Sequence, residues 1–496
     1  MDRLSPEVMA LIAARLCAVP RTPFPIPGAP RISCAPYAVL SRRWQGAVEP
    51  STFSSIRLKD TELVTFATIF AAPRRRALLR HLKYNVSLAT HGDSRHDFGQ
   101  NQTTLKNSIL KLFNVLKDWD NDVGARLTLQ VDVEWDIDTS QGPVELDFNV
   151  LNSSSARRYL MFDTAELPTV RCVASLYIAA SPGRALHPTT MCQLAGSLPH
   201  LEKLELEVLD PVNKRKQMRK HHRLALATGL TTLNLPKLTR LSIYRKTTTD
   251  VYNHSFDCGD LEDDGFDALN DALRQLSQAA PLTDLVLSGA LVSPDLFRSH
   301  RTTNHDASTW STLQNFSVQA DIIAPSGKWY YTGDPVAVEP GSVATGSDDE
   351  DEDEDDDDDD EASDSDDDVD RDAVANGVRP SHAWRSRPDP DLFNALVRDM
   401  ADAVLRMPQL RTGTLDIGPG YGEPTGIVLK CAEAGYAFDN RPDWERDSDE
   451  EKTTRRWQAW IGTATEWEVP KDVRALWTEW LGDGGKSAVG RWPPTF

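Results

Sequence analysis

The sequence predicts an α/β solenoid, in which a parallel sheet is backed by helices. The pattern Leu-Pro-x-Leu-x-x-Leu-x-Leu occurs at residues 198–206 and, with a final Ile, at 235–243, and looser copies occur elsewhere. The prolines of these copies are 31, 37, 45 and 127 residues apart, at Pro168, Pro199, Pro236, Pro281 and Pro408. A helix-like segment precedes three of them, over residues 191–198, 266–276 and 392–407. Units of roughly 20–50 residues that recur in this way are typical of solenoids.

Each repeated unit is predicted to run from helix to proline to strand. Proline lacks an amide proton and ends a helix, and leucines at alternate positions after it face one side of a strand. One such unit cannot bury its own apolar side, whereas neighbouring units stacked into a sheet can. In this arrangement the chain resembles the leucine-rich-repeat superfamily, in an irregular form. The alternative is an ordinary α/β domain with several leucine-rich strands.

Two short helices are predicted at the N-terminus. Ser5 is suited to cap the first helix, with Pro6 at the first helical position and Glu7 in the first turn. Apolar residues then recur on one predicted face, at Val8, Leu11, Ile12 and Leu16. A second helix is predicted over residues 37–48, ending at Pro50. Helices this short need a partner for their apolar sides.

These N-terminal residues are similar to the F-box, and most similar to the F-box proteins of filamentous fungi. The likeness is carried by Leu4, Pro6, Glu7, Ile12, Leu16, the Leu-Ser-Arg-Arg-Trp segment 40–44 and the segment 52–58. Two departures are present. Ser5 stands where the family often has proline directly after leucine, and five prolines between residues 20 and 30 lengthen the loop between the helices.

The resemblance implies a substrate-receptor subunit of an SCF-type ubiquitin ligase. Its N-terminal module, residues 1–58, would bind the Skp-type adaptor, and its repeats would bind a protein substrate. The adaptor-facing residues that the resemblance implies are Leu4, Pro6, Ile12, Leu16, Leu40 and Trp44. The alternative is a ligase-independent binding scaffold, in which the same residues form the core of a helical cap on the solenoid.

The irregular leucine-rich-repeat-like solenoid is predicted over residues 59–340. Strands with alternating apolar residues are predicted at 79–86 and 126–133. A helix over residues 105–119 has one apolar face, formed by Leu105, Ile109, Leu112, Phe113 and Leu116. The helix is expected to back the second strand. Burying each of these side chains stabilises the fold by about 1.5–3 kcal/mol, so tertiary packing is expected to hold the helix.

An acidic insert, residues 341–387, is predicted to be disordered. Residues 348–370 contain 19 Asp or Glu and no Lys or Arg, which accounts for most of the net charge of −21. Such a run repels itself and has almost no apolar residue to offset the entropy of ordering. Acidic residues three positions downstream make candidate casein-kinase-type phosphorylation sites of Ser347, Ser363 and Ser365. The alternative is an insert that only solvates the chain.

A basic cluster, residues 214–223, holds six Lys or Arg and two His. It has four interpretations: a nuclear localisation signal, a phosphate-contacting patch, a docking site for the acidic insert, or a solvated face of a repeat. Nucleic-acid binding is disfavoured because the rest of the chain carries no excess of positive charge and no base-reading motif.

The last repeat is predicted at residues 388–426, followed by a Trp-rich region at 427–496. This region contains seven of the 13 tryptophans. One helix face is predicted from Val473, Leu476, Trp477, Trp480 and Leu481. A terminal aromatic cluster favours a cap that seals the last repeat. The alternative is a ligand surface, because Trp is enriched in interface hot spots.

No catalytic set emerges from the sequence. Residues 415–422 resemble the strand and Gly-rich turn with which methyltransferases hold S-adenosylmethionine, with Asp439 placed as a ribose-binding acid. Only 74 residues follow Gly422, too few for the rest of such a domain. We therefore expect no catalytic residue, cofactor or metal site, and methyl transfer from S-adenosylmethionine is a remote alternative.

The composition predicts a soluble protein without membrane contact. No apolar run approaches the roughly 18 residues of a membrane helix, and the first residues suit neither a signal peptide nor an anchor. Six cysteines without zinc-site or CxxC spacing are expected to be buried thiols in a reducing compartment. We expect a cytoplasmic or nuclear protein whose partners are the Skp-type adaptor and an unidentified protein substrate.

Overall fold

A computed structural model of the chain describes residues 4–17, 35–88, 95–119, 126–135, 159–162, 167–180, 185–247, 250–298, 309–336, 371–418, 425–436 and 453–492. The fold is mixed α/β and is built on a large, mostly parallel sheet. Two compact units are distinguishable. Unit 1 holds the described residues up to 207 together with 233–240, and unit 2 holds 208–232 and the described residues from 241 onward.

Unit 1 begins with helices and continues as a parallel sheet. In chain order its elements are α1 (Pro6–Cys17), a 3-10 helix (Ala35–Val39), α2 (Arg42–Phe53), β1 (Ser55–Lys59), a 3-10 helix (Asp60–Glu62), α3 (Leu63–Ile69), α4 (Pro73–Arg76), β2 (His81–Leu88), α5 (Arg95–Lys117), β3 (Leu127–Trp135), β4 (Tyr159–Leu160), β5 (Val173–Ile178), β6 (Ala185–Leu186), α6 (Pro188–Gly196) and β7 (Lys203–Leu209). Strands β1, β2, β3, β5 and β7 are neighbours in that order, and every neighbouring pair is parallel. Strands β4 and β6 form a separate parallel pair.

Unit 2 combines a parallel and an antiparallel section. Its elements are α7 (Lys216–Thr232), β8 (Arg240–Lys246), α8 (Ala268–Ala279), β9 (Asp284–Ala290), a 3-10 helix (Pro294–Leu296), β10 (Asn315–Ala320), β11 (Tyr331–Thr332), β12 (Arg387–Pro388), α9 (Leu392–Leu405), β13 (Thr412–Ile417), β14 (Ile427–Ala432), β15 (Arg456–Gly462), α10 (Lys471–Leu481) and β16 (Lys486–Trp492). Its strands follow the order β8, β9, β10, β13, β14, β15, β16. Strands β9, β10 and β13 are parallel, and β11 and β12 form a separate antiparallel pair.

The Leu-Pro pattern forms the same turn in three places. An amide donates to the carbonyl three residues before it, across the proline, in these pairs: Leu201 to Leu198 at 3.0 Å, Leu238 to Leu235 at 3.1 Å and Leu410 to Met407 at 3.1 Å. Proline suits the second position of such a turn because its φ is already restricted. Helices α6, α7 and α9 end just before these turns, and β7, β8 and β13 begin just after them. The predicted order of helix, proline and strand is confirmed at these positions.

The alternate leucines of the pattern lie in the core. Leu204 and Leu206 of β7 are fully buried, whereas Lys203 is exposed. Leu415 and Ile417 of β13 are likewise fully buried. The period of two that the sequence shows is therefore the period of burial, because successive side chains of a strand point to opposite faces.

The second helix extends beyond Pro50, where the sequence predicted its end. Helix α2 continues to Phe53, whose ring packs edge-on against Phe70 with 5.4 Å between centroids. The hydroxyl of Thr52 donates to the carbonyl of Val48 at 3.1 Å in the same turn. The prediction was wrong because this packing outweighs the loss of one amide donor at the proline.

Residues 371–387, which the sequence assigned to the disordered insert, are folded. They contain a short helix and lead into β12, which pairs with β11. Arg385 anchors the segment, because its Nε donates to the carbonyl of His254 at 3.0 Å and its guanidinium lies 4.0 Å from the ring centroid of Trp384. The predicted boundary is corrected, since the charge run ends before this segment and its side chains find partners. Residues 337–370 lie outside the described residues.

The Trp-rich region adds strands to the sheet of unit 2 as well as covering them. Strand β14 runs antiparallel to both β13 and β15, and β16 is parallel to β15. Trp477 of α10 stacks on Trp457 of β15 with 4.8 Å between ring centroids. The predicted apolar face of α10 is buried at Val473, Trp477, Trp480 and Leu481. The sequence predicted only a cap in this region; β14 instead joins the sheet antiparallel to β13, because their connection is too short for a parallel crossover.

Candidate functional site: the N-terminal helical surface

The first helix begins where the sequence predicts it. The hydroxyl of Ser5 accepts a hydrogen bond from the amide of Val8 at 3.4 Å, which caps α1. A hydrogen bond from Ser5 also lowers the pKa of the Glu7 carboxyl. Glu7 therefore keeps its negative charge in the first turn, where the helix dipole favours it.

One face of α1 packs against α2. Met9 and Ala13 are fully buried and form a small core with Trp44 and Val48. Ser41 caps α2 by accepting a hydrogen bond from the amide of Trp44 at 3.3 Å, so Trp44 lies in the first turn of that helix. The two helices thus satisfy the need for a packing partner on this face.

The opposite side of α1 is apolar and exposed. Leu4, just before the helix, and Val8 and Leu11 within it are 37%, 41% and 66% exposed. Their spacing of four and three residues places side chains on one side of a helix. Surface helices usually carry polar residues on that side. We call Leu4, Val8 and Leu11 the α1 stripe, and no described residue covers it.

A second exposed apolar pair lies between α1 and α2 in the sequence. Val39, the last residue of the 3-10 helix, is 85% exposed, and Leu40 is 57% exposed. Tyr37 and Ala38 of the same segment pack against the small core instead. The N-terminal module therefore exposes large apolar side chains on both of these segments.

The predicted adaptor-facing residues divide between surface and core. Leu4, Leu16 and Leu40 are exposed, as docking requires. Trp44 is only 5% exposed, and Ile12 packs against the same core. In this chain Trp44 and Ile12 therefore contribute to the contact between the two helices, which a large aromatic ring stabilises most when it is buried, and their part in adaptor binding stays a prediction. The side chain of the sixth residue, Pro6, lies outside the described part of the structure.

The sequence missed three exposed residues. It placed Val8 and Leu11 on one apolar face with the core-forming positions, and it did not consider Val39. The contact of α1 with α2 is centred on Met9 and Ala13, and this rotates Val8 and Leu11 into solvent. Their spacing from Leu4 was the available signal, but only the position of α2 separates the two faces.

The helical module is tied to the rest of unit 1. The buried carboxylate of Glu49 in α2 lies 3.0 Å from a guanidinium nitrogen of Arg74 and 3.0 Å from one of Arg75. Strand β1 begins directly after α2. The predicted module boundary at residue 58 therefore falls inside a strand of the sheet.

The basic cluster 214–223 lies at the start of α7, and most of its charges have partners. Its ion pairs join Lys214 to Asp372, Lys216 to Asp257 at 2.6 Å, Lys220 to Asp263 at 2.7 Å and Arg223 to Asp267 at 3.0 Å. A localisation signal or a phosphate patch requires free charges. The pairs favour an ion-paired face, and Asp372 lies just after the acidic run.

The Gly-rich segment 415–422 leads from one strand to another. Strand β14 runs back antiparallel to β13, whereas in a dinucleotide-type cofactor unit the glycine turn opens a helix. A Cβ at Gly418 would lie 2.8 Å from the Cα of Gly426, so close approach of two chain segments explains this glycine. Residues 419–424 and Asp439 lie outside the described residues.

No model of a protein family matches the chain, and no curated protein matches it. None of the helices in the described ranges is long and apolar enough to cross a membrane. Within the same ranges, no group of His, Cys, Asp or Glu is arranged to hold a metal ion. The candidate phosphorylation sites Ser347, Ser363 and Ser365 lie outside those ranges.

Proposed function

We propose that this chain is a substrate-receptor subunit of an SCF-type ubiquitin ligase. Its N-terminal helices bind the Skp-type adaptor. The strands and helices that follow act as an irregular leucine-rich-repeat-like solenoid and hold a protein substrate. The observation that carries the proposal is the α1 stripe, a line of apolar side chains left in solvent on a helix whose other face is already packed.

Three arguments support docking through this stripe. The residues from Leu4 to Trp44 follow the order of the F-box pattern along the chain. Recognition of a helix by a groove uses apolar anchors three or four residues apart, which is the spacing of Val8 and Leu11. Exposed apolar patches with polar surroundings mark interaction sites.

The chain acts by bringing a substrate close to an enzyme and does not catalyse a reaction itself. A receptor that holds a substrate close to a ubiquitin-charged enzyme raises the effective concentration of the two reactants. Because Glu49 ties α2 to Arg74 and Arg75, the docking helices are fixed to the rest of unit 1. No reacting group of this chain is required.

The test is calorimetric titration of the purified full chain with a Skp-type adaptor. Leu11→Glu places a charge at the most exposed residue of the α1 stripe and is expected to weaken binding by about tenfold or more. Ala10→Glu is the matched control, because Ala10 is exposed on another side of α1, and its affinity is expected to be unchanged. Equal binding by both variants, or no binding by the unmodified chain, would contradict the proposal.

The second candidate is a ligase-independent binding scaffold. The burial of Trp44 and the packing of Ile12 favour the scaffold. Side chains that form the core between two helices suit a helical cap on a solenoid, and this role requires no partner protein. A folded chain that ignores the adaptor but still captures a protein through its sheet region would support the scaffold.

A further inference from the structure

A small cavity in unit 2 has a wall of mixed character. Its volume is about 50 Å³, and most of its wall is apolar, with side chains from α7, β8, α8 and β9 that include Leu226, Ile243, Leu273 and Leu287. The polar side chains of the wall are Asp210, Arg219, His222, Arg223, Arg245 and Asn270. Three guanidinium groups and one carboxylate therefore line the same space.

Two of these guanidinium groups are fully paired. Nε of Arg245 donates to Asp210 at 2.6 Å, and its Nη1 donates to Asp321 at 2.8 Å. Nε of Arg223 donates to Asp267 at 3.0 Å. Carboxylates thus neutralise the charges of Arg245 and Arg223 and accept their hydrogen bonds, so neither guanidinium needs a further ligand.

Arg219 differs from the other two. It is 4% exposed, its Nη1 donates to the carbonyl of Cys258 at a long 3.4 Å, and its Nε has no hydrogen-bond partner. No carboxylate in the described residues forms an ion pair with it, and Asp210, which acts on it through space, is already bound by Arg245. Burial lowers the pKa of the Arg219 guanidinium, because its charged form is removed from water. A buried guanidinium with an unpartnered N–H is costly unless a ligand or water accepts a hydrogen bond from it.

We propose that this cavity binds one small monovalent oxyanion, such as formate or nitrate, on the unpartnered Nε–H of Arg219. A water molecule needs about 10–15 Å³ of such space, so the cavity has room for about three or four heavy atoms. A hydrogen bond from a guanidinium N–H to an oxyanion is charge-assisted and stronger than one between neutral groups.

The surrounding charges determine which anion fits. Asp210, Asp267 and Asp321 together balance the three guanidinium groups, and Asp295 accepts from the amide of Asp267 nearby. The cavity therefore has no general excess of positive charge, and direct hydrogen bonds to Arg219 hold the anion. A divalent anion such as sulfate is excluded by charge and by size. The site lies within unit 2 and is independent of adaptor docking through α1.

The test is thermal unfolding of the full chain in sodium formate and in sodium gluconate at equal concentration and pH. Gluconate carries the same carboxylate but is too large for the cavity. Formate is expected to raise the unfolding temperature by about 1–2 °C in a saturable way. Arg219→Met is expected to lose this rise. Lys216→Met removes one charge from the same helix outside the cavity wall and is expected to keep it.

Three outcomes would overturn the proposal. Equal unfolding temperatures of the unmodified chain in the two salts mean that the cavity holds water alone. A formate-specific rise that persists in Arg219→Met places the anion elsewhere. If Arg219→Met does not fold, the test is the ¹³C NMR line width of labelled formate in the presence of the unmodified chain, which broadens when formate binds. Broadening that nitrate reverses and sulfate does not supports the site, and any other result overturns it.

Discussion

Trp44 and Leu40 lie four residues apart in the F-box-like pattern, yet Trp44 is 5% exposed and Leu40 is 57% exposed. The difference follows from what surrounds each side chain. Trp44 sits in the first turn of α2, where Met9 and Ala13 of α1 reach it. Leu40 precedes the helix and has no such neighbours. At the scale of the residue, whether an apolar side chain such as Trp44 or Leu40 is buried or exposed depends on its position relative to a neighbouring helix rather than on its type.

Trp44→Ala is expected to lower the free energy of unfolding by about 3–5 kcal/mol, because it empties the centre of the core between α1 and α2. Leu40→Ala is expected to change it by no more than about 0.5 kcal/mol. Urea denaturation followed by far-UV circular dichroism measures both. Similar losses in the two variants would mean that the core is not centred on Trp44. For the same reason Trp44→Ala is unsuited to testing adaptor binding.

Asp416 of β13 is a second case in which surroundings dominate. Its Oδ1 is buried without a hydrogen-bond partner. Burial raises its pKa from 3.8 to about 6, although the positive charge of Lys430 acts in the opposite direction. The folded state therefore binds this proton more tightly than the unfolded state does. Stability falls as the pH rises from about 4 to about 6, and it stays lower above that range.

Asp416→Asn, which carries no charge, is expected to be more stable than the unmodified chain at pH 7, on the order of 1–2 kcal/mol. Below pH 4 the two proteins are expected to be equally stable. Denaturation curves at several pH values measure the difference. A difference that does not depend on pH would show that the carboxylate is not the cause.

At the scale of the element, the basic cluster 214–223 at the start of α7 places its cations in three different environments. Lys216 is 38% exposed and pairs with an Asp257 that is 81% exposed. The Arg223 side chain is 10% exposed and pairs with an Asp267 that is 1% exposed. Arg219 is buried without an ion pair. The helical period rotates successive basic residues from solvent to core, so one basic run in the sequence becomes three kinds of site.

Arg223→Met is expected to cost about 3–5 kcal/mol, because it leaves Asp267 buried with an uncompensated charge. Lys216→Met is the matched substitution on the exposed side of α7, and it is expected to cost at most about 1 kcal/mol. Chemical denaturation compares the two. Losses of equal size would contradict the distinction between the buried pair and the exposed pair.

The segment 376–388, most of which lies in the folded stretch 371–387, depends on a few contacts for its order. Arg385 donates to the carbonyls of His254 and Tyr331, at 3.0 Å and 3.1 Å. Arg385→Ala is expected to speed amide hydrogen exchange across this segment, since low local stability allows local opening. Arg387→Ala removes an exposed arginine two residues away and is expected to leave exchange unchanged. Equal protection in both variants would assign the order of the segment to other contacts.

At the scale of the whole molecule, charge and packing are separated along the chain. The acidic run at 348–370 holds most of the net charge of −21, whereas unit 1 and unit 2 each contain their own parallel strands with buried apolar side chains. Net charge acts on solubility and association rather than on the choice of fold.

Replacement of residues 348–370 by a Ser/Gly segment of equal length is expected to shift the unfolding temperature by less than about 2 °C. Solubility near neutral pH is expected to fall, because the protein loses most of its net charge. Calorimetry and precipitation assays measure the two effects. A large drop in unfolding temperature would show that the acidic run takes part in packing.

The sequence by itself determined the local order of helix, proline turn and strand, because proline chemistry and a period of two act over a few residues. It also determined the cap of α1 at Ser5 and the apolar face of α10. It did not determine the end of the acidic insert, the antiparallel direction of β14, or which apolar residues of α1 remain exposed. Only the tertiary structure decided these, because each depends on partners far along the chain: α2 for Val8 and Leu11, and His254 for Arg385. The free donor of Arg219 belongs to the same group, since a buried charge is identified only when all the groups around it are in place.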